Sequence, residues 1–154
     1  IGNHLTLQPF QRIQWYGRGP WESYWDRKTS AMVGLYEGTI ADQYYPYVRP
    51  QENGNKSDVR WARLSKKGVS LTIYSIDTLL NVNALPYSPA QLFPGVEKGQ
   101  THAGELTPSP YTHLDIDLQQ LGLGGDNSWG NLPMQQYLLY LYQPYSYSYR
   151  IEAH

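Results

Sequence analysis

The sequence predicts an all-β, antiparallel, sandwich-like domain, and three observations carry that reading. Eleven Pro and 14 Gly are spread along 154 residues, so few windows longer than ten residues escape a helix breaker. Several segments alternate apolar and polar residues with a period of two, the spacing of a strand with one buried face. The chain is also rich in Tyr and Trp, 15 and 5 respectively, and only 16% of its residues are charged. That composition suits either an aromatic-cored β protein or a carbohydrate binder.

Taken in order, Arg12 to Tyr16 reads as a short strand. Val59 to Leu64 and Val69 to Ser75 alternate cleanly. The Lys66-Lys67-Gly68 turn between them completes a β-hairpin signature. Residues 84–110 hold five Pro together with Leu85, Tyr87, Leu92 and Phe93, and read as a long ordered connection with a single helical turn at Pro89 to Phe93. Tyr111 to Leu118 sets Leu114, Ile116 and Leu118 against His113, Asp115 and Asp117. At the C-terminus, Gln136 to Tyr142 and Tyr145 to Ile151 flank Gln143-Pro144 and predict a second hairpin.

Composition excludes several function classes. Twelve basic against thirteen acidic residues give a formal charge of −1, with no global field to steer nucleic acid or an anionic membrane. With no Cys there is no disulfide framework, thiolate metal site or cysteine nucleophile. No apolar run approaches the ~18 residues of a membrane span. The chain begins at Ile1 without an initiator Met and reads as a piece of something longer.

Gly122 to Gly130 reads GLGGDNSWG. A dinucleotide fingerprint would need glycine where Asn127 stands and a helix where Pro133 follows, so phosphate binding is excluded. What remains is a sharply turning loop ending at Trp129, either exposed to stack on a sugar or buried to anchor the loop. His113, Asp115 and Asp117 share one strand face, but nothing else is spaced to complete a metal site, so a solvated polar face is expected. Glycosidic hydrolysis needs two flanking carboxyls, and no motif pairs any of the thirteen acids. A serine triad fails similarly, since no G-x-S-x-G elbow exists and the only Ser in a Gly-rich turn is Ser128. Two aromatic segments rich in charge, Tyr16 to Arg27 and Tyr44 to Asn55, read as loop-packing motifs whose ion pairs tie turns to a sheet.

Three blocks then carry a resemblance. Tyr16-Gly17-Arg18-Gly19-Pro20-x-Glu22-Ser23-Tyr24-x-Asp26-Arg27 is similar to a signature of the C-terminal domain of β-galactosidases of glycoside hydrolase family two. Pro46 to Gly54 with Arg60-Trp61 resembles the next block, and His113 to Asp115 through Gly122 to Gly130 the last. The resemblance implies a galactose mutarotase-like antiparallel super-sandwich, of which residues 1–154 form the C-terminal part. It implies retaining hydrolysis of terminal β-D-galactosides by two Glu residues in a TIM barrel elsewhere in the polypeptide, along with magnesium and sodium sites there. No catalytic residue or metal ligand falls on this chain. By the same resemblance Trp129 is a sugar platform reaching into the barrel, Asp126 and Asn127 shape its loop, and Trp21 and Trp25 stand where the family varies. Expected partners are the β-galactoside, the barrel and a second copy of the chain, since half a super-sandwich leaves sheet edges uncovered. An autonomous carbohydrate-binding module is the alternative, and an epimerase a third.

Overall fold

The computed structural model describes residues 1–93, 95, 101–127 and 129–154. Among the described residues nine strands form two antiparallel sheets, as the alternation predicts. They are β1 (Gly2–Leu7), β2 (Arg12–Gly19), β3 (Met32–Thr39), β4 (Lys56–Val59), β5 (Trp61–Lys66), β6 (Val69–Ser75), β7 (Leu80–Leu85), β8 (Thr112–Asp117) and β9 (Tyr149–Ala153). One sheet has the order β1-β8-β7-β4 and the other β3-β2-β5-β6-β9. The β5–β6 hairpin turns at Gly68, whose φ of +74° is the left-handed conformation the turn needs.

The inward row of each strand builds the shared core. Ile13, Trp15, Ala62, Leu64 and Ile73 of the five-stranded sheet meet Val59, Leu80, Val82, Ala84, Leu114 and Ile116 of the other. Each large side chain so buried contributes about 1.5–3 kcal/mol. Trp15 spends its one polar atom on the Arg18 carbonyl, 2.9 Å away.

The two outer faces differ. On the four-stranded sheet, the outward Asn81 and Asn83 are buried because residues 52–55 lie over them. The Asn83 amide donates to the Asn53 carbonyl at 2.7 Å, and the Asn55 amide to Asn81 Oδ1 at 3.4 Å. The outer face of the five-stranded sheet stays open, with Leu35 61% exposed and Tyr16 41%.

The expected turn of helix is present as α1 (Pro89–Leu92), started by a Ser88–Gln91 capping box with Pro at its first position. The reading of 84–110 as one ordered connection needs two adjustments. Its first two residues belong to β7, and residues 94 and 96–100 lie outside the described ones.

The C-terminal hairpin is a correction. Gln136 to Tyr142 is not a strand: it opens in a 3₁₀ turn at Gln135–Tyr137, and Leu141 and Tyr142 lie open to solvent. The reason is local. The Tyr145 hydroxyl accepts from the Tyr140 amide and donates to the Tyr140 carbonyl, both at 2.9 Å, satisfying backbone that a ladder would otherwise use. The strand expected from Tyr145 begins only at Tyr149, where β9 pairs with β6. The short strand expected from Arg12 to Tyr16 is instead longer, since β2 runs on to Gly19 before the chain bends.

Candidate functional site

The loop between β8 and the 3₁₀ turn at Gln135–Tyr137 presents Trp129, which is 92% exposed. The buried-anchor alternative for this ring is therefore out. Local sequence shapes the approach. Gly124 and Gly125 have φ of +68° and +78°, and a Cβ at Gly124 would press on the Asn131 carbonyl at 3.1 Å. The Asn127 side-chain oxygen accepts from the Trp129 amide at 2.9 Å, an Asx turn that sets the direction of the residue. Asp126 lies 3.7 Å from the Arg27 guanidinium. Ser128 lies outside the described residues.

A carboxylate nearly a hundred residues away holds the base of this loop. Asp26, whose side chain is 2% exposed, accepts from the Leu123 amide at 3.0 Å and the Gly124 amide at 2.9 Å. Arg27 donates to the Gly124 carbonyl. Next to them the Trp25 indole N–H donates to the Gln136 carbonyl at 3.2 Å, and its ring meets Tyr137 edge-on. Hydrogen bonds to a charged group are worth up to ~1.5–3 kcal/mol each, so the loop is fixed at its root while its tip stays open.

The same segment grips the other block. The Glu22 carboxylate accepts from the Gly54 amide at 2.7 Å and from the Tyr47 hydroxyl. That second bond, with burial, pushes the Tyr47 phenol up to about 12. The Ser23 hydroxyl meets Ser57 at 2.7 Å. Asp58 binds both Arg18 and, at 2.8 Å, Lys28. Burial works to raise its carboxyl, but the two cations outweigh it and hold it below the usual carboxylate range. Residues 16–27 thus form a hub between residues 46–58 and the Trp129 loop. The charged residues tie turns to sheets, as the sequence predicts. Sequence reasoning missed that Asp26 clamps the glycine loop, a link between segments with no local signal.

His113, Asp115 and Asp117 are not a freely solvated face. Register sets His4 of β1 opposite Asp115, with Nδ1 2.7 Å from its carboxylate. His4 Nε2 lies 3.3 Å from His113 Nδ1, and His113 Nε2 lies 3.1 Å from Ser109 Oγ. His113 is buried in this chain of contacts, and its pKa is lowered by that burial and by His4. Among the described residues no three His, Cys, Asp or Glu side chains are grouped to hold a metal ion.

Comparison with known proteins gives a consistent picture. The family described as beta galactosidase small chain matches residues 1–151. The chain is 40% identical to a beta-galactosidase of Priestia megaterium over 154 residues, covering 99% of this chain and 14% of that protein. It is 42% identical to a beta-galactosidase of Lactobacillus delbrueckii subsp. bulgaricus over 133 residues, covering 84% and 12%. A beta-galactosidase of Pseudoalteromonas haloplanktis is 31% identical over 139 residues, covering 90% and 12%. The chain therefore spans only 12–14% of the length of these relatives.

Proposed function

The chain belongs to the beta-galactosidase small chain family, and on that premise we propose that it is the C-terminal part of an enzyme that hydrolyses terminal β-D-galactosides with retention. In this reading the chain completes a super-sandwich domain, and the acid/base and nucleophile are supplied by a barrel in the rest of the polypeptide. Magnesium and sodium would be held there too. This chain's own task is to shape the pocket and offer Trp129 as the surface on which the apolar face of the sugar rests.

The observation that carries the reading is a nearly fully exposed indole on a loop whose root is clamped by Asp26. A ring of that size left in water forgoes ~1.5–3 kcal/mol of burial unless something comes to cover it. The clamp gives the platform a fixed place, which a loop alone would not.

Two assays test the proposal. In the full-length enzyme, Trp129→Ala is expected to weaken galactoside binding about 2- to 13-fold, the range of an aromatic contact worth ~0.5–1.5 kcal/mol, while Trp129→Phe retains most of it. Unchanged steady-state kinetics would sink the platform role. The isolated chain is expected to show no turnover of a chromogenic galactoside, and robust hydrolysis would overturn the division of labour. The open outer face of the five-stranded sheet favours a second reading, an autonomous carbohydrate-binding module. Titration of the isolated chain with galactose and lactose separates the two, since binding without a barrel favours the module.

A further inference from the structure

The outward face of the five-stranded sheet carries an aromatic row that neither the core nor the Trp129 loop uses. Ladder register sets Leu35 opposite Tyr16, Tyr16 opposite Trp61, Trp61 opposite Tyr74, and Tyr74 opposite Arg150. One position along each strand, the row running from Trp15 through Ala62 to Ile73 is buried in the core. Alternation therefore points Tyr16, Trp61 and Tyr74 away from it. Three rings on three adjacent strands, ~4.8 Å apart, make a strip about 10 Å long.

The rings are braced and the central one is free. The Arg60 guanidinium lies 5.3 Å from the Tyr16 ring and that of Arg150 4.9 Å from Tyr74, whereas Trp61 carries no cation over it among the described residues. Trp61 and Tyr74 line a shallow cleft of about 280 Å³ with Gln14, Arg63 and Thr72. Those three occupy the next outward row, ~6.8 Å along the strands. Arg63 gives one amino group to Ser70 Oγ at 2.9 Å and has no carboxylate partner among the described residues. Its side chain lines this cleft, which puts its remaining N–H groups within reach of a ligand there.

An apolar strip bordered by planar donors matches an amphipathic ligand with a flat C–H face and hydroxyls around its rim. Charge argues against the alternative of a second copy. A two-fold pairing of this face with itself would set Arg60 and Arg63, which no carboxylate among the described residues balances, against the same two, since Arg12 and Arg150 are paired with Glu37 and Glu152 at 3.2 and 3.1 Å. A neutral, hydroxyl-rich chain meets no such repulsion.

We propose that this face is a second glycan-binding surface, separate from Trp129. It takes a β-linked galactan chain with one sugar over the uncapped Trp61 ring and the next beside Tyr74, their hydroxyls on Arg63 and Gln14. The choice of galactose rests on the β-galactosidase reading above. Such a surface holds a polymeric substrate on the enzyme between cleavage events.

Electrophoresis of the full-length enzyme through gels containing soluble β-1,4-galactan tests this. Wild type is expected to be retarded. Trp61→Ala should lower the apparent affinity at least five-fold, Trp61→Phe should largely restore it, and Arg63→Ala should weaken it without touching the core. kcat/KM on a chromogenic monogalactoside and the melting temperature should stay at wild-type values in these variants. Trp129→Ala provides the contrast, weakening small-substrate binding while keeping retardation. If that variant is kinetically silent but Trp61→Ala abolishes retardation, the platform role fails and this surface stands. Absence of retardation for wild type, or retardation unaltered by Trp61→Ala, overturns the proposal.

Discussion

Lys56 takes its ammonium into the interior, where the side chain donates to the Gly54 carbonyl at 2.8 Å and lies over the Trp15 ring at 5.1 Å. Burial pushes its pKa down from 10.5 to about 8. Between those values the unfolded chain binds the proton that the folded chain has lost, so stability rises with pH, by up to about 3 kcal/mol for the whole interval. Tyrosines limit the upper end. Tyr47 is held up to about 12, so the folded state keeps a proton that the unfolded state sheds above pH 10, and stability falls again there. Urea melts across pH 7–12 are expected to show midpoints climbing from about pH 8 and turning over above about pH 10. Lys56→Met should flatten the climb; an unchanged slope would remove Lys56 as its cause. Nothing in the string Gly-Asn-Lys-Ser-Asp marks this Lys as buried, because the aromatic ring and the carbonyl that accept it come together only in the fold. The loop that carries Trp129 is the opposite case, since its sharp turns are legible in the contiguous GLGGDNSWG.

At the scale of elements, strands whose partner follows at once were readable. The β5–β6 hairpin turns where expected, since period and turn chemistry are local, but β5 starts at Trp61 because Val59 ends β4 in the other sheet. β8 keeps its alternation although its partners β1 and β7 lie far back in the chain. Gln136 to Tyr142 has the same alternation, but its backbone is met by the Tyr145 hydroxyl, and it serves instead as a prop for the Trp129 loop. The Gly122 amide donates to the Tyr137 carbonyl at 2.9 Å, and a Cβ at position 122 would sit 2.7 Å from Tyr137 Cβ and 3.0 Å from the Asp26 carboxylate. Gly122→Ala must therefore push the loop off either the prop or the clamp, at a cost of about 1–3 kcal/mol for overpacking. The expected result is a lower melting temperature together with faster hydrogen exchange at the Leu123 and Gly124 amides. Retention of wild-type protection at those amides would show that the loop root is not held as described.

The whole molecule closes one face of each sheet and leaves its margins bare. β1 and β4 end one sheet, β3 and β9 the other. β3 is the most exposed of these edges, since Met32, Val33 and Leu35 all lie open beside an unpaired row of backbone groups. An edge of that kind is a template for another strand, and nothing among the described residues blunts it, because the one charge on β3, Glu37, is paired to Arg12 at 3.2 Å. In a longer polypeptide the remainder of a super-sandwich would cover it. Expressed alone, the 154-residue chain is therefore expected to self-associate through this edge, giving a light-scattering mass above the 17.7 kDa monomer that grows with concentration. Val33→Lys with Leu35→Lys should return it toward a monomer by placing charge on the outward row while leaving the inward Tyr36 in the core. A monodisperse wild-type monomer at micromolar concentration would contradict the proposal. Association that survives both lysines would move the contact to another margin, where β1 carries Gly2, Asn3 and His4 in the open.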